Sequence, residues 1–69
     1  MDGAQNSLGD RIKAAREARG LRQDQSAELA GLSQAYWSRV ETGDKKDPRV
    51  STIVKIAKAL GVRVSTLIE

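Results

Sequence analysis

Glycines placed at breaks in the apolar pattern constrain this chain more than any other feature, because they limit it to short helices. Four of them follow segments whose apolar residues recur at helical spacing: Gly20, Gly31, Gly43 and Gly61. Glycine is favoured just past the end of a helix, since it adopts a left-handed backbone without steric cost. No segment alternates between apolar and polar residues as a strand would. The pattern therefore predicts an all-α chain.

Five helices are expected, in a single compact bundle. Ser7 precedes the first helix and Ser33 the third, where a side-chain oxygen can accept an N–H of the first turn. Pro48 bars helix continuation through the polar loop that follows the third helix. The first helix ends at Gly20, and the others are predicted at about 23–30, 34–42, 49–60 and 64–68. The preceding residues 1–6 are expected to form a flexible tail, and 7–69 one domain.

The residue types that are absent from the sequence exclude several classes of functional site. The 69 residues include no Cys and no His, so disulfides, zinc sites and His-dependent nucleophiles are not available. We therefore expect no enzyme, no catalytic residues, no metal, no cofactor and no evident small-molecule ligand. No apolar run approaches the roughly 20 residues of a membrane span, and the N-terminus lacks a signal-peptide pattern. These features predict a cytoplasmic protein without a membrane partner. The net charge of +3 permits a polyanionic partner but does not establish one.

The segment 23–42 has the construction of a helix-turn-helix unit. Two short helices are joined by a turn that contains Gly31, and Ala27 is small enough to allow close helix crossing. The apolar residues Leu32, Trp37 and Val40 are expected to anchor the second helix of the pair, which is helix 3 of the chain. The opposite face then carries side chains able to contact base edges, namely Gln34, Ala35, Ser38 and Arg39.

The stretch 8–68 resembles the lambda-repressor/Cro-like helix-turn-helix family, also called the xenobiotic-response-element family of bacterial and phage regulators. The matching residues are Leu8-Gly9, Ile12, Arg16-Glu17, Gly20-Leu21, Gln23, the run 27–33, the run 40–43, Pro48 and the run 56–62. The resemblance implies a five-helix domain whose helix 3 enters the major groove of double-stranded DNA. It also implies a nucleoid-associated protein and an ion pair between Arg16 and Glu41.

From that resemblance and from residue chemistry, two groups of residues are expected to face DNA. Base-reading roles fall on Gln34, Ala35 and Arg39, with Tyr36 and Ser38 at the margins. Phosphate or minor-groove roles fall on Arg22, Gln23, Ser33, Thr42, Lys45, Lys46 and Arg49. The chemistry agrees, because glutamine can pair with the N6/N7 edge of adenine and arginine with O6/N7 of guanine. Helix N-termini such as those at Gln23 and Ser33 also favour phosphates.

We expect a sequence-specific DNA-binding transcriptional regulator of the repressor type. It is expected to act as a homodimer on a two-fold operator, because one recognition helix contacts few base pairs. The candidate dimer contacts are Val62, Val64, Leu67 and Ile68. The alternative is a protein-interaction module, such as an antitoxin or coactivator, that uses the same bundle. The polar exposed face of helix 3 favours DNA. Phage repressor, restriction-modification controller, antitoxin and general regulator all remain open as biological roles.

Three residues depart from the family pattern. Ser26 stands where a buried leucine is usual, and Leu29 or Trp37 is expected to fill the space. Arg22 and Arg49 stand where serine or threonine commonly caps a helix, and arginine cannot accept a capping hydrogen bond. Both arginines, however, add positive charge to the expected phosphate surface.

Overall fold

The computed structural model describes residues 7–68, which form five α-helices and no strands. The all-α, five-helix prediction is confirmed. The predicted tail 1–6 lies outside the described residues, as does Glu69. In chain order, the helices are α1 (Leu8–Ala18), α2 (Gln23–Ala30), α3 (Gln34–Thr42), α4 (Val50–Leu60) and α5 (Val64–Ile68). None of these helices is long and apolar enough to cross a membrane.

The helix ends follow from local chemistry. The Ser7 hydroxyl accepts the Asp10 N–H at 3.2 Å, and the Ser33 hydroxyl accepts the Tyr36 N–H at 3.1 Å. Gly43 ends α3 with a φ of +87°, a backbone conformation that residues with a Cβ rarely adopt. The helix predicted from Arg49 begins one residue later, with Arg49 at the N-cap and without a side-chain cap.

The core lies where α1 packs against α3 and α5, and α2 packs against α3 and α4. Its largest fully buried side chains are Trp37, Ile12, Ile56, Leu60 and Leu67. With only a few large apolar side chains, the bundle depends on close helix contact.

Gly9 makes the closest approach between α1 and α3. A Cβ atom built at Gly9 would lie 2.5 Å from the carbonyl oxygens of both Val40 and Glu41. Only a glycine permits this distance, so the entry to α1 rests directly on the backbone at the C-terminal end of α3.

Three apolar residues lie elsewhere than predicted. The helical spacing of Val50, Ile53, Ala57 and Leu60 predicts that all four face the core; Ala57 and Leu60 are buried, as is Ile56, but Val50 is 73% exposed. Leu29 is 62% exposed and does not fill the space beside Ser26, whereas Trp37 is fully buried. Leu67, a predicted dimer contact, is fully buried in the chain's own core because α5 packs onto α1 and α4. Leu67 is therefore a core residue.

Candidate nucleic-acid interface

The helix α3 has one buried face and one exposed face. Trp37, Val40 and Glu41 are buried, which orients the opposite side of the helix outward. The predicted base-reading residues divide accordingly: Gln34, Ala35 and Arg39 are exposed, while Tyr36 and Ser38 are half-buried at the margins. The turn that precedes α3 is closed by a hydrogen bond from the Leu32 N–H to the Ala27 carbonyl at 2.8 Å.

The carboxylate of Glu41 fixes α3 to the two helices that precede it. Arg16 Nε donates to Oε2 at 2.6 Å, and Arg16 Nη2 donates to Oε1 at 3.2 Å. Gln23 Nε2 donates to Oε1 at 3.0 Å, and Trp37 Nε1 donates to Oε2 at 2.6 Å. The predicted Arg16–Glu41 ion pair is thus present, within a larger set of four hydrogen bonds. Arg16 also donates through Nη1 to the Leu21 carbonyl at 2.8 Å.

These hydrogen bonds decide the ionisation of the Glu41 side chain, which is only 3% exposed. Burial by itself raises the pKa of Glu41, but hydrogen bonds from Arg16, Gln23 and Trp37 outweigh burial, and the pKa lies below its ordinary value. The same contact with Glu41 raises the pKa of Arg16. Both groups are therefore charged at neutral pH, and the buried carboxylate is fully hydrogen-bonded.

Gln23 has a second role that the sequence did not indicate. One N–H of its side-chain amide is committed to Glu41, which leaves one amide N–H and its backbone N–H at the start of α2 for a ligand. The Trp37–Glu41 bond was also missed, although the spacing of four residues on α3 was a signal for it. The Gln23–Glu41 bond joins residues far apart in the sequence and had no such signal.

A basic groove lies between the helix-turn-helix turn and the start of α4. It has a volume of about 490 Å³ and is lined by Gly31, Leu32, Ser33, Tyr36, Lys45, Arg49 and Thr52. Three predicted phosphate residues, Ser33, Lys45 and Arg49, therefore line the same groove. Thr52 was not predicted, and it adds a hydroxyl on the first turn of α4.

The other predicted phosphate residues lie outside the groove. Lys46 lines a smaller cavity of about 260 Å³ beside the start of α1, together with Lys45 and Gly9. The Thr42 hydroxyl donates to the Arg39 carbonyl at 3.2 Å. Arg22 is exposed and paired with Asp24. Two lysines on the loop after α3 thus connect the basic groove to the N-terminus of α1.

The remaining dimer candidates differ in exposure. Val62 and Val64 are half-buried, and Ile68 is 57% exposed. Among residues 7–68, no group of three or more carboxylate, imidazole or thiol side chains is arranged to hold a metal ion.

Comparison with known proteins identifies relatives of this chain. Residues 7–67 match the family described as the helix-turn-helix domain. The immunity repressor protein of Bacillus phage phi105 is 44% identical over 62 residues, which cover 90% of this chain and 42% of the repressor. The chain therefore spans less than half the length of that relative.

Two solved chains share the fold over nearly their whole length. The restriction-modification controller protein C.AhdI from Aeromonas hydrophila has a TM-score of 0.86 and 32% identity, covering 96% of this chain and 98% of the controller. The master regulator for biofilm formation SinR, solved in complex with DNA, also has a TM-score of 0.86 and 32% identity, covering 90% of this chain and 98% of the SinR chain in that structure.

Proposed function

The chain belongs to the helix-turn-helix domain family of DNA-binding transcription regulators, and from this premise we propose that it is a sequence-specific repressor of double-stranded DNA operators. The observation that carries the proposal is the exposed face of α3. Gln34, Ala35 and Arg39 are exposed there, on a helix whose other face is held by three hydrogen bonds from α1 and α2 to Glu41. A rigid helix with a polar exposed face is suited to the major groove.

Each residue on this face has a distinct role in the proposal. Gln34 pairs with adenine through its amide, and Arg39 pairs with guanine through its guanidinium; each bidentate contact discriminates by about 1–3 kcal/mol. Ala35 contacts the methyl group of thymine or allows the backbone to approach. Tyr36 and Ser38 contact the edges of the same site.

The basic groove supplies the phosphate contacts. Ser33, Lys45 and Arg49 line it, and Gln23 and Arg22 lie at the N-terminus of α2. We assign Lys46 and Thr42 to the DNA backbone beyond the groove. Such contacts position the domain without reading sequence.

We further propose that the protein binds as a homodimer, with residues 7–69 as the DNA-binding domain acting in the cytoplasm. Two half-sites about 34 Å apart would give the selectivity that one α3 lacks. Val62, Val64 and Ile68 are the contacts assigned to this interface. Sedimentation equilibrium tests the assignment, since Ile68→Asp should shift the protein towards monomer while leaving its helix content unchanged.

Selection of bound sequences from a random duplex pool tests the function. A repressor of this kind should enrich one sequence, with two-fold symmetry if the protein is a dimer. Recovery of no preferred sequence at moderate salt would rule out specific DNA recognition. A protein-interaction module would give that result, although the polar face of α3 is a poor protein-docking surface.

A further inference from the structure

Two exposed arginines of the proposed DNA surface already have anionic partners within the protein. Arg22 Nε lies 3.0 Å from Oδ1 of Asp24, and Arg22 Nη2 lies 3.4 Å from Oδ2. The guanidinium therefore engages both carboxylate oxygens with two parallel donors. This fork is the same arrangement with which arginine binds a phosphate.

The second arginine is Arg39 on α3. Its Nε lies 3.9 Å from Oδ2 of Asp44 in the following loop. The loop is folded back onto the same turn, because the Lys45 N–H donates to the Arg39 carbonyl at 3.0 Å. Asp44 is thus held close to the guanidinium even though both side chains are about 70% exposed.

Asp24 and Asp44 place negative charge on a surface that is proposed to bind the negatively charged DNA backbone. Asp24 lies in the first turn of α2, beside the N–H groups assigned to a phosphate, and two negative charges close together repel each other. A hydrogen bond from the guanidinium lowers the pKa of Asp24, so this residue remains ionised at neutral pH. A phosphate that approaches Arg22 must therefore compete with a charged, well-oriented carboxylate.

We propose that Asp24 is an internal competitor of DNA phosphate for Arg22, and that Asp44 competes with the guanine edge assigned to Arg39. This inference rests on the proposed function and specifies how affinity is regulated at the same surface. A backbone phosphate must displace the Asp24 carboxylate before it can pair with Arg22, so Asp24 weakens binding to any duplex.

The test is a double-variant cycle on Arg22 and Asp24, measured with a random-sequence duplex pool. Asp24→Asn should tighten binding about two- to five-fold at low salt, the range expected for release from an exposed ion pair. It should also steepen the dependence of log K on log salt by about 0.9, as one more phosphate contact forms. Arg22→Ala should weaken binding more in the Asp24→Asn background than on its own, because the Asp24 carboxylate then no longer occupies the guanidinium.

The combination of the two substitutions decides the question. If Asp24 acts by occupying Arg22, Asp24→Asn should have almost no effect once Arg22 is alanine. If Asp24→Asn tightens binding equally with and without Arg22, the carboxylate acts only by long-range repulsion, and the proposal is overturned. Glu28→Gln is the control: it removes one charge from the same helix, and no basic side chain among residues 7–68 lies within ion-pair distance of Glu28.

Failure of the competitor role of Asp24 can be distinguished from failure of the proposed function. A wild-type protein that binds no duplex at low salt would contradict the proposed function itself. A wild-type protein that binds, with additive effects in the cycle, would contradict only the competitor role of Asp24. Circular dichroism of each variant establishes that it is folded before binding is measured.

Discussion

The indole N–H of Trp37 donates to the carboxylate of Glu41 at 2.6 Å, one helical turn away on α3. Both residues are buried, and the same carboxylate receives Arg16 and Gln23. The buried face of α3 is apolar at Trp37 and Val40 and polar at Glu41, near the C-terminal end of the helix. Since Trp37 is the only tryptophan, its fluorescence reports on the environment of Glu41.

Glu41→Gln should destabilise the fold by about 3–5 kcal/mol, because it leaves the largely buried Arg16 without its counter-charge. Urea unfolding followed by Trp37 fluorescence measures the loss. Glu17→Gln is the matched control, since Glu17 is 60% exposed and only 4.0 Å from the same guanidinium; it should change stability by less than about 0.5 kcal/mol. Equal losses from the two substitutions would contradict a special role for Glu41.

Stability should fall as the solution is acidified. The pKa of Glu41 is lower in the folded chain than its ordinary value of about 4.3, so the unfolded chain takes up its proton first. The stabilisation is therefore complete above the unfolded pKa and is lost as the pH falls through the folded pKa. Unfolding measured between about pH 6 and 3 should show this loss in the wild type. Glu41→Gln should make the dependence of the unfolding free energy on pH shallower. An unchanged slope in this variant would contradict the assignment of the acid-induced loss to Glu41.

Gly9→Ala should destabilise the protein by about 1–3 kcal/mol, as overpacking does. The added methyl group would meet the carbonyl oxygens of Val40 and Glu41, which are backbone atoms within a helix. At an ordinary helical site the same change would stabilise by up to about 1 kcal/mol. Ala14→Gly, the reverse substitution at an exposed site of α1, measures the effect of helix propensity alone. Thermal unfolding of Gly9→Ala and Ala14→Gly therefore separates the effect of close contact from that of helix propensity. A more stable Gly9→Ala variant would show that α1 can move away from α3.

Ser26→Ala should raise the free energy of unfolding by about 1 kcal/mol. Ser26 is fully buried, and its hydroxyl has no hydrogen-bond partner among the described residues, so removing it relieves an unpaired polar group. Ser26→Leu is also expected to raise the melting temperature, by filling the position that a leucine usually takes. A lower melting temperature for Ser26→Leu alone would mean that Trp37 already fills the space.

Arg39→Ala and Lys46→Ala should affect DNA binding in different ways. Loss of a base contact at Arg39 should relax specificity at one operator position, at a cost of about 1–3 kcal/mol. Loss of a phosphate contact at Lys46 should weaken binding to all sequences and reduce the salt slope by about 1. Selection of bound duplexes by each variant, with salt titrations, measures both. If Arg39→Ala weakened binding to all sequences equally, the result would indicate that Arg39 contacts the DNA backbone and not a base.

The helix boundaries were predictable because they depend on neighbouring residues. Ser33 and Gly43 delimit α3 through a hydroxyl cap and a positive φ, and both effects can be recognised in a short segment of sequence. The choice of buried face was less predictable. On α4, Val50 shares an apolar spacing with Ala57 and Leu60 but is exposed, whereas Ile56 is buried. The packing of α4 against α1, α2 and α5 decides which side chains are covered.

The interface was predictable as a set of residue types but not as a set of contacts. Resemblance to a family assigned Gln23 and Arg39 to DNA, and charge assigned Arg22, but nothing in the local pattern indicated that each has a partner within the chain. The partners of Gln23 and Arg39 depend on where a distant carboxylate or a loop folds back. Arg22 and Asp24 are close in sequence, but a spacing of two residues is not one that pairs side chains on a helix.

The Glu41 hydrogen bonds lie on one side of α3, and the face proposed to contact DNA lies on the other. Arg16 and Gln23 attach the buried side to α1 and α2 through Glu41, whereas Gln34, Ala35 and Arg39 are exposed and contribute nothing to that attachment. Substitutions on the exposed side therefore leave these hydrogen bonds intact. Under the proposed function, a few such substitutions would change the preferred DNA sequence without unfolding the domain, so one buried carboxylate leaves the sequence preference free to evolve.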